Sequence, residues 1–437
     1  MTPAAGLSLT SARNRRRFLA IARLVAQVYG GYKTIQLLSK VMGAGRVRWM
    51  YQRHHASSAE LAYRTATQLQ GLLIKACQFL GTRADILPQE YIDVLSQLQD
   101  RVPPRPYTEI AALVEAQLGR PLHDVFLHFD PRPLAAASLA QVHRARLHDG
   151  REVAVKVQYR NIAELVEGDI ANLGFCANLL ARVERSFDVR MLLRELGKHV
   201  RLELDFEHEA GNAARIRANL LHRHDVAVPE IFPELSTRTV LVMEYLPGIR
   251  VTDVDALAAA HIDKQEVARL LTEVFCHQIL VDGFFHADPH PGNILVQPGP
   301  KLVLLDFGLA KDFPPAIAQG VVQLTSAIVA QDRDAIAAAF TTLGFRTRNG
   351  NSQSLIALSD MFLGQAVRSG KAYMDQDLIE RFSEELPRAL RDNPIVKAPS
   401  DLLFVVRVLG LLSGIGKQLD SHVDPMSVIL PFLMQKT

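Results

Sequence analysis

Apolar residues recur with a helical period at both ends of this chain and with a strand period between them. Two N-terminal segments, 11–32 and 57–81, place apolar residues three and four apart, and a shorter helix is predicted to end near Leu118. Three prolines, Pro103, Pro104 and Pro106, separate the 57–81 segment from this shorter helix. The sequence therefore predicts a helical N-terminal extension over residues 1–120.

The period changes to two after residue 125. Strands are predicted at 125–129, 141–147 and 152–158, and His148-Asp149-Gly150 supplies a hairpin turn between the last two. Helical patterns follow at 162–183 and 191–219, and one more strand is predicted at 239–245. This order predicts a small β-rich lobe over residues 121–246.

Residues 247–437 have a helical pattern almost throughout. Beyond residue 262, short strands are predicted only at 294–296 and 301–305. The expected architecture is an α+β fold in which a β-rich lobe is followed by a helical lobe.

Composition places the chain among ordinary globular proteins. Of its 437 residues, 48% are hydrophobic and 22% are charged. A formal net charge of +3 is too small to indicate nucleic-acid binding. Cys77, Cys176 and Cys276 lie far apart and form no C-x-x-C pair, which argues against a disulfide framework or a structural zinc site and favours a reducing compartment.

The sequence shows no secretory signal and no convincing transmembrane span. The apolar segment 402–416 is interrupted by Arg407, and the run 428–434 is short. The helix at 11–32 starts with several arginines and then carries an apolar stripe, so it either lies on an anionic membrane surface or packs on its own protein. We expect a cytoplasmic protein, peripheral on the inner face of a membrane in the first case. The oligomeric state stays open, a dimer included.

Three short motifs indicate phosphoryl-transfer chemistry. Lys156 ends the strand segment Val153-Ala154-Val155-Lys156, where kinases place the lysine that grips nucleotide phosphates. The segment 286–293, His-Ala-Asp-Pro-His-Pro-Gly-Asn, has the spacing of a kinase catalytic loop, with Asp288 orienting or deprotonating the attacking hydroxyl and Asn293 as a Mg²⁺ ligand. Asp306-Phe307-Gly308 begins thirteen residues after Asn293 and adds a second oxygen ligand for the metal.

A glycine-rich loop is missing before Lys156. The corresponding turn carries Ala135, Ala136, Ala137 and Ser138, whose main-chain amides can still face phosphates. Alanine reaches positive φ less readily than glycine, so the turn is expected to be stiffer and differently shaped. Without its flanking strands, the same segment would be interpreted as the start of a helix.

Together these residues resemble the UbiB family of atypical protein-kinase-like ATPases, which is associated with coenzyme Q (ubiquinone) biosynthesis. The resemblance covers roughly residues 60–420 and rests on the alanine-rich A-A-A-S-x-x-Q-V-H turn, H-A-D-P-H-P-G-N and D-F-G. It implies a bilobal protein-kinase-like fold with the N-terminal helical extension packed on the cleft. It also implies binding of ATP or ADP with Mg²⁺, and isoprenoid-lipid metabolism near a membrane.

The resemblance assigns further roles. Glu209 falls where the ion-pair partner of Lys156 is expected, Glu203 and Asp205 resemble the E-x-D motif, and Asp205 and Glu209 would share a helix face. Lys75 and Gln78 resemble the K-x-G-Q signature, in which Cys77 here replaces the glycine. The implied nucleotide-binding residues are Ala135, Ala136, Ala137, Ser138, Lys156, Glu244 and Leu246.

Two other functions fit part of the pattern. Small-molecule kinases of the aminoglycoside or choline phosphotransferase kind also have H-x-D-x-H-x-G-N loops, although the extension with Lys75 and Gln78 favours the UbiB-like ATPase. A non-catalytic lipid-binding scaffold would keep the kinase shape, but it would not need Lys156, Asp288, Asn293 and Asp306.

Overall fold

The computed structural model describes residues 12–81, 87–99, 103–183, 189–349, 355–356, 395–397, 400–423, 428 and 431–432. They belong to two compact units, the first formed by residues 1–208 and 231–245 and the second by residues 209–230 and 246–437. The predicted helical content of 357–394 and most of the run 428–434 lie outside the described residues. Among the described residues, no helix combines the length and apolar content needed to span a bilayer.

The first unit starts with four helices, where the sequence predicts two. They are α1 (Ala12–Met42), α2 (Ala44–Leu69), α3 (Leu72–Gly81) and α4 (Gln89–Leu95), the last followed by a 3₁₀ turn at Ser96–Gln99. The predicted helix 57–81 is broken because Gln70 and Gly71 both adopt positive φ, 55° and 64°. Arg17 donates to the carbonyl oxygen of Gln70 at 3.3 Å and so satisfies a polar group that the break exposes.

The apolar stripe of α1 packs inside its own unit. Ile21 is fully buried, and Phe18, Ala22 and Val25 pack around a cluster formed by α1, α2, α3, α4 and the helix that carries Cys176. Beside this cluster the Arg17 guanidinium pairs with Asp169, with Nε to Oδ1 at 2.8 Å and side-chain exposures of 7% and 1%. This face of α1 is therefore a packing surface.

The middle of the chain forms the expected antiparallel sheet. After α5 (Tyr107–Leu118) and α6 (Leu122–Val125), strands β1 to β5 follow in chain order: Phe126–Ala136, Ala140–Leu147, Glu152–Gln158, Val226–Ala227 and Val240–Glu244. The first unit contains a sheet of order β1-β2-β3-β5. The alanine-rich segment continues β1 up to Ala136, so it does not start a helix.

Three helices connect β3 to β4: α7 (Ile162–Val183), α8 (Val189–Glu203) and α9 (Phe206–Leu220). The prediction of one helix over 191–219 was wrong, because the chain leaves the helix at Leu204-Asp205. Asp205 instead caps α9, since its Oδ1 accepts from the amide of His208 at 3.1 Å. Asp205 and Glu209 therefore do not share the face of one helix.

The second unit is mainly helical. Before residue 300 it contains β6 (Ile249–Arg250), α10 (Val254–Ala259), α11 (Lys264–His277), a π-helical turn (Gln278–Asp282), β7 (Phe284–His286) and β8 (Ile294–Gln297). After residue 300 come β9 (Lys301–Leu304), β10 (Ala310–Asp312), α12 (Pro315–Val329), α13 (Arg333–Thr342), β11 (Arg346–Thr347), β12 (Ile395–Lys397) and α14 (Ser400–Gln418).

The short strands of this unit form three small sheets, of order β4-β9-β8-β6, β10-β7 and β11-β12. Strands β8 and β9 were predicted within one residue of their bounds. The prediction that no other strand occurs beyond residue 262 was wrong, since β7, β10, β11 and β12 are also present. Strands of two or three residues are too short to display a period.

The buried pair of Arg17 and Asp169 generates a stability prediction. We expect Asp169→Ala to destabilise the first unit by about 3–5 kcal/mol, because it leaves an uncompensated guanidinium in the interior. The matched control is Glu167→Gln on the same helix, where the exposed pair with Arg201 is worth less than about 1 kcal/mol. Denaturant unfolding measures both, and equal midpoints for the two variants would contradict the prediction.

Candidate functional site

The loop that carries Asp288 is organised around the buried side chain of His286. The ring Nδ1 of His286 accepts from the amide of Asp288 at 3.1 Å, and Nε2 donates to the carbonyl oxygen of Leu305 at 3.0 Å. The amide of His286 donates to Oε1 of Gln278 at 3.0 Å, and its ring lies 5.4 Å from that of Phe307. One imidazole thus connects the catalytic-loop segment with the segment that ends in Asp306.

Asn293 closes the same loop. Its Nδ2 donates to the carbonyl oxygen of Asp288 at 3.2 Å, and its amide donates to the carbonyl oxygen of His290 at 2.8 Å across the 3₁₀ turn Pro291–Asn293. With the amide nitrogen oriented inward, the side-chain oxygen remains an acceptor that can bind a hard cation. The predicted roles of Asp288 and Asn293 are therefore compatible with their geometry.

The D-F-G segment is held beside this loop. The amide of Leu305 donates to the carbonyl oxygen of Asn293 at 2.9 Å, and the exposed Asp306 adopts a left-handed φ of 58°. Phe307 is buried, and its carbonyl oxygen accepts from Nδ2 of Asn212 on α9 at 2.9 Å. Asp288, Asn293 and Asp306 are thus assembled within the second unit, in a backbone whose strain at Asp306 the neighbouring contacts maintain.

Sequence reasoning missed two residues of this unit. Asn212 belongs to the quoted segment Glu209-Ala210-Gly211-Asn212, but nothing in its spacing indicated a contact with Phe307. Arg407 on α14 donates from Nη2 to Oδ1 of Asp288 at 2.9 Å. Its signal was visible, because it is the one charged residue in the apolar segment 402–416.

In the first unit, Lys156 lies on the middle of a paired strand. It is opposite Val142 on β2 and Leu241 on β5, and its ammonium lies 5.1 Å from the ring centre of Phe206. Ala135 and Ala136 end β1, and Ala137 donates to the carbonyl oxygen of Ala140 at 2.8 Å. Ser138 is buried in the turn. The alanine-rich segment is therefore a short hairpin turn next to the lysine strand.

Two buried polar side chains of the Q-V-H motif brace this turn. Nδ1 of His143 donates to the carbonyl oxygen of Asp130 at 2.8 Å, and its Nε2 lies 2.7 Å from Nε2 of Gln141. Oε1 of Gln141 accepts from the amide of Arg105 at 2.8 Å. Burial lowers the pKa of His143, so its neutral form, with Nε2 as acceptor, is favoured. The motif thus ties the proline-rich segment to β2.

The remaining predicted site residues are divided between the units. Glu244 ends β5 opposite Val153, and the chain enters the second unit after Tyr245, so Leu246 belongs to that unit. Glu209 is 2% exposed and lies on α9 in the second unit. The ion pair of Lys156 with Glu209 and a shared nucleotide site stay predictions, as does the position of the extension on the cleft.

The K-x-x-Q motif of the extension contacts the E-x-D motif through one ion pair, in which Nζ of Lys75 lies 2.5 Å from Oε2 of Glu203. Gln78 instead holds its own extension, since its Nε2 donates to the carbonyl oxygen of Leu98 at 3.1 Å. Cys77, between Lys75 and Gln78 in the sequence, packs in the apolar cluster with Leu95 and Cys176. The residue that replaces the family glycine is thus accommodated in the core of the first unit.

The two units together have the α+β architecture of protein kinases. Over 88% of this chain and 97% of the other, the structure resembles Rv3197 from Mycobacterium tuberculosis, solved in complex with erythromycin, with a TM-score of 0.62 at 22% sequence identity. That likeness shows the fold. The predicted protein-kinase-like fold is confirmed.

The family follows from sequence comparison. The family model described as "ABC1 atypical kinase-like domain" matches residues 97–340 of this chain. The chain is 34% identical over 395 residues to Protein ACTIVITY OF BC1 COMPLEX KINASE 8, chloroplastic, from Arabidopsis thaliana, covering 83% of this chain and 52% of that protein. It is 32% identical over 400 residues to AarF domain-containing protein kinase 1 from Xenopus tropicalis, covering 86% of this chain and 75% of that protein.

The chain therefore belongs to the ABC1 atypical kinase-like family, which is the UbiB or AarF family predicted from its motifs. It spans about half the length of the Arabidopsis relative.

The three thiols generate a prediction about reactivity. Burial raises the pKa of Cys77 and Cys276 to about 12 and also raises the pKa of Cys176. Because the thiolate is the reactive form, only about one in ten thousand of the Cys77 or Cys276 thiols is ionised at pH 8. We expect the native protein to resist a chromogenic disulfide reagent at pH 8 and to react fully after unfolding. Rapid labelling of Cys77 in the native state would contradict this expectation.

Proposed function

We propose that this protein binds ATP or ADP with Mg²⁺ and cleaves the γ-phosphate of ATP, by hydrolysis or transfer, in support of ubiquinone or other isoprenoid-lipid metabolism at a membrane. Family membership and the kinase-like fold support the nucleotide. The observation that carries the proposal is the connection made by His286, because it holds Asp288 and the strand end before Asp306 in one hydrogen-bonded arrangement.

The donor set suits Mg²⁺. This ion prefers oxygen ligands and commonly takes only one or two from protein, with phosphates and waters completing the shell. Asp306 offers an exposed carboxylate and Asn293 an amide oxygen. Within the described part of the chain, no group of three or more His, Cys, Asp or Glu side chains is suited to hold a metal. Bound Mg²⁺ would neutralise charge on the phosphates.

The first unit offers groups suited to phosphates. Lys156 supplies a positive charge from a rigid strand, and the turn at Ala137 and Ser138 supplies main-chain amides. Oγ of Ser138 is buried, and it lacks a hydrogen-bond partner among the described residues. A phosphate oxygen at this turn would satisfy the hydroxyl, whose desolvation is otherwise uncompensated.

Asp288 is the residue that meets the nucleophile. Its carboxylate accepts a hydrogen bond from water or a substrate hydroxyl and takes the proton as the new P–O bond forms and the bond to ADP breaks. Most of the catalysis in such sites comes from positioning and charge. The hydrogen bonds that hold Asp288 and Asn293 therefore matter more than the basicity of the Asp288 carboxylate.

The metal-ligand role of Asp306 generates a direct test. We expect Asp306→Asn to lower phosphate release from ATP and Mg²⁺ by at least about 100-fold, because the charge stabilisation that a bound metal provides is worth several kcal/mol. Asp312→Asn is the matched control, since this exposed carboxylate follows on β10 and pairs with Arg215 at 2.8 Å. Phosphate release is measured for all three proteins.

Different outcomes separate the alternative functions. Equal phosphate release by wild type and Asp306→Asn would remove the metal assignment and favour the non-catalytic scaffold. Incubation with ATP and a pool of metabolites tests the other alternative, since an Asp306-dependent phosphorylated small molecule would indicate a phosphotransferase of the aminoglycoside or choline kinase kind.

Charge at the N-terminal end supports a membrane as the place of action. Residues 1–59 contain ten Lys or Arg and no Asp or Glu, although the whole chain has a net charge of only +3. One of the ten, Arg17, is neutralised by Asp169, whereas Lys40, Arg46 and Arg48 are exposed. An acid-free basic segment is attracted to anionic lipid headgroups.

The apolar part of this surface differs from the stripe predicted for α1. The ring centres of Tyr32 and Tyr51 lie 5.8 Å apart, and Nε2 of His54 donates to the carbonyl oxygen of Val28 at 2.9 Å. Helices α1 and α2 therefore form an antiparallel hairpin around Gly43. The hairpin tip exposes four large apolar side chains among the basic ones: Leu37 (63%), Val41 (86%), Met42 (44%) and Trp49 (59%). Apolar and aromatic groups next to basic ones suit the interface of an anionic bilayer.

Vesicle binding tests the hairpin tip. We expect co-sedimentation with phosphatidylcholine vesicles only when an anionic phospholipid is included, and a decrease with added salt. Arg46→Ala and Arg48→Ala should each weaken binding about fivefold, at roughly 1 kcal/mol per basic residue, and Trp49→Ser should also weaken it. Arg64→Ala is the control, because Arg64 pairs with Glu60 on α2 away from the tip. Equal binding to neutral and anionic vesicles would refute the assignment.

A further inference from the structure

The carboxylate of Asp288 is held differently from its backbone. The backbone is fixed within its own loop, by His286 and by Asn293. The side chain is held from a distant element, because Nη2 of Arg407 contacts Oδ1 across 119 residues of sequence. Within the described residues, Arg407 is the one side chain that pairs with this carboxylate. The orientation of the Asp288 side chain therefore depends on α14. This helix lies outside residues 97–340, the segment matched by the family model.

Helix α14 is anchored on both sides of Arg407. One turn before it, the ring of Phe404 lies 5.1 Å from the ammonium of Lys311 on β10, the strand that pairs with β7 immediately before the Asp288 loop. Beyond the end of the helix, Asp420 bonds Lys264 and Gln265 at the start of α11. The guanidinium thus contacts Asp288 from a helix that is attached both to β10 and to the start of α11.

Stability does not account for this arginine. The pair with Asp288 is partly exposed, at 27% and 34%, and such pairs contribute little. Nε of Arg407 is buried without a partner among the described residues, which is unfavourable. An apolar residue would suit the surrounding helix better, because residues 402–416 are otherwise uncharged. A charge placed unfavourably for stability, in contact with a carboxylate of the candidate site, points to a role in that site.

We propose that Arg407 is the positioning residue of Asp288. It holds Oδ1, so that Oδ2 is left to accept the hydrogen bond and then the proton of the nucleophile. As the nucleophile's oxygen forms its bond to the γ-phosphorus of ATP, the bond to the ADP oxygen breaks and ADP leaves. This inference rests on the proposed ATP cleavage. Arg407 itself touches neither nucleotide nor metal in this role, so its removal affects turnover more than nucleotide binding.

Substitution of Arg407 in the full chain tests the role. We expect Arg407→Ala to lower kcat for phosphate release about 10- to 100-fold, with the KM for ATP changed less than about twofold. Arg407→Lys should recover part of the rate, and millimolar guanidinium should partly rescue Arg407→Ala but not Asp288→Asn. Arg407→Ala combined with Asp288→Asn should be no slower than Asp288→Asn alone, because both changes remove one function. Lys417→Ala, an exposed change on the same helix, should match wild type, and thermal unfolding should be similar for all variants.

The results separate this inference from the proposed function. If wild type releases phosphate and Asp306→Asn does not, while Arg407→Ala equals or exceeds wild type, the positioning role is overturned and the ATPase remains. An increased rate would mean that the guanidinium masks the carboxylate. A loss that is additive with Asp288→Asn, or that follows a lowered melting temperature, also overturns it. If wild type and Asp306→Asn are equal, the proposed function fails and this role fails with it.

Discussion

The candidate site of the second unit depends on the burial of one imidazole. His286 is 1% exposed, so its two ring nitrogens and its amide must find partners inside the protein. They find them in the amide of Asp288, the carbonyl oxygen of Leu305 and the side chain of Gln278. These bonds determine the tautomer and join two segments that would otherwise be independent loops. Because the buried imidazole needs hydrogen-bond partners, it holds the Asp288 loop and the segment before Asp306 together as one site.

Polar groups in the first unit are used in the same way. The N-terminal helices are attached to the rest of that unit by the buried pair of Arg17 with Asp169 and by the pair of Lys75 with Glu203. Gln141 and His143 fasten the proline-rich segment to the strand after the alanine turn. The extension is therefore an integral part of the first unit, and its apolar stripe is used in packing, which leaves the exposed tip of the α1–α2 hairpin as its lipid-facing candidate.

The assembly of Asp288, Asn293 and Asp306 could be anticipated because these residues are close together in sequence. The spacing between them corresponds to short strands and turns, which the structure contains. Lys156 lies on a distant strand of the first unit, so its part in the same site stays a prediction. The partners of Asn212 and Arg407 could not be predicted, since Phe307 and Asp288 lie 95 and 119 positions away from them. The prediction that Asp205 and Glu209 share a helix face was wrong, because helical periodicity does not show where a side chain caps a new helix.

The sequence by itself determined the family, the strands of ordinary length in the first unit, and the residue types available for phosphate and metal. These depend on local spacing and on short motifs, which the chain carries in one dimension. Only the tertiary structure decided that Arg407 reaches Asp288, that Asn212 holds Phe307, and that the stripe of α1 is covered. It also decided where two- and three-residue strands form, because strands that short exist only through their pairing partners. Such contacts join segments that are far apart in the sequence, so no local pattern predicts which residues will meet.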